Sequence, residues 1–555
     1  MQTVRRLYLY GMSGITLGVL LTGLNNLFVV VFHALGLGRG ALGGGTSGDR
    51  DQLSLAIALV VVGLLVWTVH WLVIERSLRP GQPRAEEERS SPIRALYLSL
   101  VLAVLLVFGI LAAVQLLEHL TRLLFGVGRT NDVEFLEIDL GAALATVLVT
   151  GLAWLYHAGI RRRDLATTEM SVGGAWIPRV YLYGATLLGL VMTAINVGSL
   201  LRLAFEVLVG PAPDFIGADV RRREAADALA GIVAWGIVFG GHWWYATALL
   251  RGEGWRATSE RRARLRLAYF AAAIGAAAIA TVVFAWQSLS GLLGLTLGVE
   301  RESVAESGLT SVLGPLFGLL PWIVAWFVHA RWMRDEARTS DLTDRATQAG
   351  RLVAATVALV GIAAFAAGAA GAVGLLLDVL LGGNRTTAGL WRRELADFLA
   401  LGVVGAVLWL WNWASLQSRR AAQPEAEARS TARRAYLLIV VAVALLASLG
   451  SLAFVLYRLF NAILGVDQFT NLASSLSAAL GVLLVAAALA AYHGLAERRD
   501  HALREASGAP ETPEPGASPL AERRFVLRGM SGDALDAAVT GVRAALPPGI
   551  EIEEE

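Results

Sequence analysis

Twelve apolar stretches arranged as six similar pairs constrain this chain more than any other feature. A short aromatic motif closes each pair: Trp67-Thr68-Val69-His70-Trp71, Trp154-Leu155-Tyr156-His157, Phe239-Gly240-Gly241-His242-Trp243 and Trp326-Phe327-Val328-His329. Weaker forms follow at Trp409-Leu410-Trp411-Asn412-Trp413 and Tyr492-His493. The aligned position steps 70, 157, 242, 329, 412, 493, a period of 81 to 87 residues, and five of the eight histidines occupy it. Self-similarity at a fixed period marks one structural unit reused along a chain. The first stretch of each pair runs about 29 residues from a tyrosine to a glycine: Tyr8 to Gly36, Tyr97 to Gly126, Tyr181 to Gly210, Tyr269 to Gly298 and Tyr436 to Gly465. In the fifth pair Val353 takes the tyrosine's place ahead of Gly382. The second stretches cover roughly 53–74, 138–160, 225–250, 308–330, 395–416 and 472–496.

A helix crosses a bilayer core of about 30 Å with about 20 apolar residues, so every stretch is long enough. Unbroken runs of this length exclude barrel strands, and in lipid only helices or closed barrels satisfy the backbone. The expected fold class is an all-α polytopic membrane protein: 12 transmembrane helices as six direct-repeat hairpins, with repeats at about 1–90, 91–175, 176–262, 263–347, 348–430 and 431–500. Composition agrees, since only 17% of residues are charged and the mean hydropathy is +0.59, where soluble domains carry about 25% charge. Arg5 and Arg6 precede an apolar run to about Leu35 that is too long for a cleaved signal and reads as the first span.

Cysteine is absent, which excludes disulfides and thiolate metal sites. Lysine is absent too, so all 47 basic residues are arginine, and Schiff-base chemistry or a P-loop is impossible. A net charge of +2 gives nucleic-acid binding no support. Loops joining one repeat to the next hold 25 arginines, against 10 in loops within repeats. By the positive-inside rule, both termini and the Trp/His ends are expected in the cytoplasm, as for a bacterial inner-membrane protein. After residue 500 a Pro-rich linker (501–522) leads to a segment, 523–555, that reads as a small cytoplasmic β-α-β tail. Arg524–Leu527 forms its first expected strand, Asp533–Leu546 its helix and Ile550–Ile552 its second strand. A unit this small cannot bury enough surface alone, so it is expected to pair with a copy of itself, a protein partner or the cytoplasmic face.

The arginine-and-tyrosine start, the leucine-rich run to glycine and the Trp-x-x-His close resemble a bacterial integral-membrane family known as domain of unknown function 5671. The resemblance covers residues 1–500 as tandem copies, departing at Val353, Asn412 and Ala490. It implies a polytopic membrane protein and carries no site residues with it.

Three sets of residues stand out. His70, His157, His242, His329 and His493 are candidate haem or pigment ligands, because neutral imidazole coordinates iron. Equally, they suit the interfacial belt where Trp and Tyr gather, and hydrogen bonding to a neighbouring helix explains Asn412 better than ligation does. Eleven residues before the terminal glycine stand Asn25, Gln115, Ser199 and Gln287, either helix-to-helix hydrogen-bond partners or a polar track for a substrate or ion. Glu118, His119 and Arg202 are ionisable groups deep in spans, with Glu118/Arg122 and Arg202/Glu206 spaced for same-face ion pairs. Gly361, Gly368, Gly371 and Gly374 form a seam suited to close helix packing.

No zincin, nucleophile-elbow or dinucleotide motif is present. The favoured expectation is a non-enzymatic scaffold or assembly partner. The alternatives are a transporter or channel on the polar row, and a haem- or pigment-binding redox protein on the histidines.

Overall fold

The structure, a computed structural model, describes residues 2–37, 46–79, 81–82, 84–127, 139–167, 175–210, 215–251, 255–261, 263–299, 308–339, 343–382, 391–465 and 472–506. The chain divides into two compact units, Met1–His501 and Ala502–Glu555. Only 502–506 of the second unit are described, so the expected β-α-β tail and most of the linker lie outside the described residues.

The first hairpin is α1 (Gln2–Ala34) and α2 (Thr46–Ser77), and the second is α4 (Pro92–Leu124) and α5 (Leu140–Thr167). Between them sits a short helix, α3 (Ala85–Arg89). The pattern repeats as α6 (Trp176–Val209), α7 (Phe215–Ala248), short α8 (Trp255–Arg261), α9 (Arg264–Thr296) and α10 (Gly308–Thr339). It repeats again as α11 (Thr343–Leu380), α12 (Trp391–Ala422), short α13 (Pro424–Ala428), α14 (Thr431–Ile463) and α15 (Leu472–Ala506). Twelve of these helices are long and apolar enough to cross a membrane, which makes the chain a multi-pass membrane protein. No strand occurs among the described residues. The last helix continues to Ala506, so the first residues of the expected linker are helical.

Five of the six glycines expected to close the first helix of each hairpin do so in the left-handed region: Gly36, Gly126, Gly298, Gly382 and Gly465, with φ of 65 to 84°. There the chain turns back on the helix, as where Leu37 donates to the Phe32 carbonyl at 2.9 Å, and only glycine adopts that φ without a steric cost. Gly210 is the exception, extended at φ −77°, ψ 167°. Pro211 follows it in the sequence, and a residue before proline is pushed toward extended backbone.

Every extensive helix contact among the described residues joins helices of the same hairpin or of consecutive hairpins. The first helix of one hairpin packs on the second helix of the next, as α1 on α5, α4 on α7, α6 on α10 and α9 on α12. The hairpins thus succeed one another head to tail through one repeated interface, a heterologous arrangement. Many large apolar side chains face outward, among them Leu65, Phe108, Phe327, Trp411 and Leu446, which suits lipid and would be costly in water. The glycine seam on α11 divides between two neighbours. A Cβ at Gly368 would lie 2.2 Å from the Gly402 amide nitrogen of α12, and one at Gly361 2.4 Å from that of Trp409. Gly374 turns instead toward Ala478 of α15.

Candidate functional site: a repeated aromatic and ionic lock

The aromatic motif sits on the second helix of each hairpin, one helix away from the tyrosine that opens the first. Each motif histidine directs Nδ1 at the carbonyl four residues back: His70 to Val66, His157 to Ala153, His242 to Val238, His329 to Ala325 and His493 to Leu489, at 2.7 to 3.0 Å. A carbonyl only accepts, so Nδ1 carries the proton and Nε2 of the neutral ring is left as an acceptor. Tyr8, Tyr181, Tyr269 and Tyr436 donate to Nε2 of His70, His242, His329 and His493 at 3.3, 3.1, 2.9 and 3.1 Å. Two of these tyrosines accept in turn from a tryptophan of the preceding hairpin, Trp154 Nε1 to Tyr181 and Trp409 Nε1 to Tyr436, both at 3.0 Å. In these two cases the result is a directed chain, Trp N–H to Tyr O–H to His, with the imidazole N–H closing on its own helix. In the second hairpin the Tyr97 hydroxyl and Nε2 of His157 are instead buried without a hydrogen-bond partner among the described residues.

The fifth hairpin shows what the pair is for. Tyrosine and histidine are both absent there, replaced by Val353 and Asn412, while Asn412 Nδ2 still donates to the Leu408 carbonyl at 2.8 Å. Loss of the tyrosine together with the imidazole is what a mutual hydrogen bond predicts. Transferring Val and Asn to positions 181 and 242 tests it in a double-mutant cycle on unfolding in detergent. The two single variants are expected to destabilise non-additively, with a coupling of about 0.6 kcal/mol and no more than about 1.7 kcal/mol, the range for hydrogen bonds inside membrane proteins.

An ionic cluster caps the same end of the hairpins. In the first two hairpins Arg6 Nε donates to Glu88 of the short helix at 2.7 Å, and Tyr10 donates to the same carboxylate at 2.9 Å. Arg94 Nη1 donates to the Tyr10 oxygen at 3.2 Å, while its Nε meets Asp164 at 2.6 Å. Hairpins three and four repeat every member: Arg179 with Glu260 at 2.9 Å, Tyr183 with Glu260, Arg266 with Tyr183 at 3.1 Å and Arg266 Nε with Glu336 at 2.8 Å. Hairpins five and six keep Arg351 with Glu427 at 2.5 Å and Arg433 with Asp500 at 2.7 Å. Ala355 stands in the tyrosine's place, and Arg420 and Gln417 supply further bonds to Asp500 and Arg433. Arg94, Arg266 and Arg433 are each 1% exposed and lie over Trp71, Trp243 and Trp413 at 5.2 to 5.9 Å. Cation–π contact thus joins the ionic layer to the aromatic motif beneath it.

The cluster repeats every two hairpins, not every one. The motif histidines follow the same alternation: His157, His329 and His493 are at most 1% exposed, while His70 and His242 are half-buried. A comparison with protein families gives the same unit. The family described as Domain of unknown function (DUF5671) matches residues 6–152, 179–328 and 351–488. The chain belongs to this family. Its domain occurs three times, and each copy begins in the first helix of one hairpin and ends in the second helix of the next. No curated protein and no solved structure matches the chain.

The other residues expected to matter do not converge. Asn25 accepts from Thr146 of α5 at 3.0 Å, whereas Gln115 and Ser199 face outward and Gln287 is half-buried. Glu118 is 4.0 Å from Arg122, whose closer partner is Asp227 of α7 at 2.7 Å. Arg202 is exposed and pairs with Glu206 at 3.1 Å, and His119 is half-buried. The Arg122–Asp227 pair belongs to a series at the end opposite the aromatic lock. There the first helix of one hairpin meets the second helix of the next, as in His33 with Asp139 at 2.9 Å, Ser290 with Asp397, and Ser477 with Asp378 at 3.4 Å. Sequence reading placed the motif histidines and missed Glu88, Glu260 and Glu427, which look like solvated loop charges. Their spacing of 172 and 167 residues, twice the hairpin period, was the available signal.

Proposed function

We propose that the protein is a non-enzymatic scaffold of a bacterial cytoplasmic membrane, with its aromatic and ionic locks and both termini on the cytoplasmic side. One observation carries this reading: both ring nitrogens of His70, His242, His329 and His493 are engaged in hydrogen bonds within the bundle. A ligand to haem iron needs one of those nitrogens free, which among the five motif histidines holds only for Nε2 of His157. The arginine asymmetry supports the orientation, and the head-to-tail hairpins with apolar flanks suit a rigid surface on which other membrane components assemble. The transport reading is weaker, because Asn25 is satisfied by Thr146 and Gln115 and Ser199 point away from the bundle interior. The test is a visible spectrum, oxidised and reduced, of natively expressed protein in mild detergent. A scaffold gives no Soret band; a band that disappears in the His157→Ala or His329→Ala variant would establish the redox reading in its place.

A further inference from the structure

One cleft at the arginine-rich end breaks the pattern of the repeats. It lies between the start of α4, the end of α5 and the start of α6, lined by Arg89, Arg94, Ser99, Arg161, Asp164 and Pro178, with apolar Ala95, Leu98 and Leu165. Three arginines and one aspartate line it, and Arg94 has a second carboxylate, Glu75, at 3.8 Å. Asp164 is taken up by Arg94, and Arg89 Nη2 donates to the Leu78 carbonyl at 2.6 Å. Arg161 has no carboxylate partner among the described residues. It is 8% exposed, lies over the Tyr181 ring at 5.1 Å, and donates through Nη2 to the Pro178 carbonyl at 2.9 Å, leaving its buried Nε without a partner. Ser99 Oγ, 6% exposed, is also buried without a partner.

The other repeats act as internal controls. Arg161 is four residues past its motif histidine, and the same register holds Ile74, Ala246, Met333 and Leu416, all buried, and Glu497. Ser99 is two residues past its tyrosine, where the sister units hold Ala271 and Leu438. The backbone therefore accepts an apolar residue at these places. A buried cation with unmet N–H donors costs free energy that an apolar residue would not.

We infer that the Arg89–Arg94–Arg161–Ser99 cleft binds a phosphate group, with Arg161 Nε and Ser99 Oγ as the donors that the fold itself leaves unmet. A guanidinium fork matches the geometry of a phosphate oxygen pair, and the hydroxyl adds a further donor. Two sources present this chemistry at the end of a spanning helix: the headgroup of an anionic phospholipid, and free phosphate.

The experiment measures thermal unfolding of the full chain in a neutral detergent, titrated in separate arms with inorganic phosphate and with phosphatidylglycerol in mixed micelles. Phosphatidylcholine and potassium chloride at matched ionic strength are the controls. A ligand that binds the folded state raises the unfolding temperature with concentration, and the midpoint reports affinity. Stabilisation by phosphatidylglycerol alone assigns a lipid headgroup, and stabilisation by inorganic phosphate assigns the free anion. In either case Arg161→Met, the residue at this register in the fourth hairpin, is expected to weaken the midpoint at least tenfold, and Ser99→Ala several-fold. Ser99→Ala leaves the arginine in place, so it decides the matter if the methionine variant fails to fold. No shift with either ligand, or an equal shift in wild type and Ser99→Ala, overturns the inference.

Discussion

Replacing Asp500 with alanine is expected to destabilise the protein by about 3–5 kcal/mol, the cost of removing one partner from a buried ion pair. Asp500 is 1% exposed and its two oxygens receive Arg420 Nε at 2.6 Å and Arg433 Nε at 2.7 Å. Arg433 is equally buried, so the variant leaves its guanidinium with no carboxylate, held by Gln417, a backbone carbonyl and the Trp413 ring. That uncompensated charge dominates over the lost hydrogen bonds themselves. Arg420→Ala is the matched comparison: its side chain is 28% exposed and Asp500 keeps Arg433, so the expected loss is about 1 kcal/mol, near that of a surface pair. Denaturant unfolding in detergent measures both, and equal losses for the two variants would show that Asp500 is not the centre of this lock.

The second large effect belongs to the α11–α12 seam. Gly368→Leu is expected to cost about 3 kcal/mol, at the upper end for over-packing. A Cβ at Gly368 would sit 2.2 Å from the Gly402 nitrogen and 2.6 Å from the Phe398 carbonyl oxygen, so the obstacle is backbone and cannot rotate aside. The helices must separate, and with them Gly405, whose own Cβ position lies 2.2 Å from the Phe365 nitrogen. Gly450→Leu on α14 meets nothing within 4 Å and is expected to change stability by less than about 0.5 kcal/mol. A comparable loss at both glycines would mean that close approach does not set the cost, since helix propensity favours leucine over glycine at either place.

The helices, their pairing and the register of the histidines were legible because bilayer-spanning segments must be long and apolar, and lipid offers the backbone no alternative to a helix. Gly36, Gly126 and their counterparts were legible for a similar reason, since a positive φ selects glycine. The two-hairpin unit was not. Its defining residues, such as Glu88 and Arg94, lie 82 and 88 residues along the chain from Arg6, and nothing local distinguishes a buried loop carboxylate from a solvated one. Arg122 keeps the Glu118 of its own helix that the spacing indicated, at 4.0 Å, but its closer partner, Asp227 of the next hairpin at 2.7 Å, was hidden in the same way. The outward placement of Gln115 and Ser199 depends on how each helix is rotated against its neighbours, which their position relative to a glycine does not specify.

The central claim, that four of the five repeated histidines are structural acceptors locked between a tyrosine and their own helix, is tested most directly by nitrogen NMR of protein labelled at histidine. Assignment by single His→Asn substitution is expected to show His70, His242, His329 and His493 as neutral rings protonated at Nδ1, with Nε2 accepting a hydrogen bond. Resonances showing Nε2 protonated with Nδ1 bare, or either nitrogen shifted by bound iron, would contradict the account.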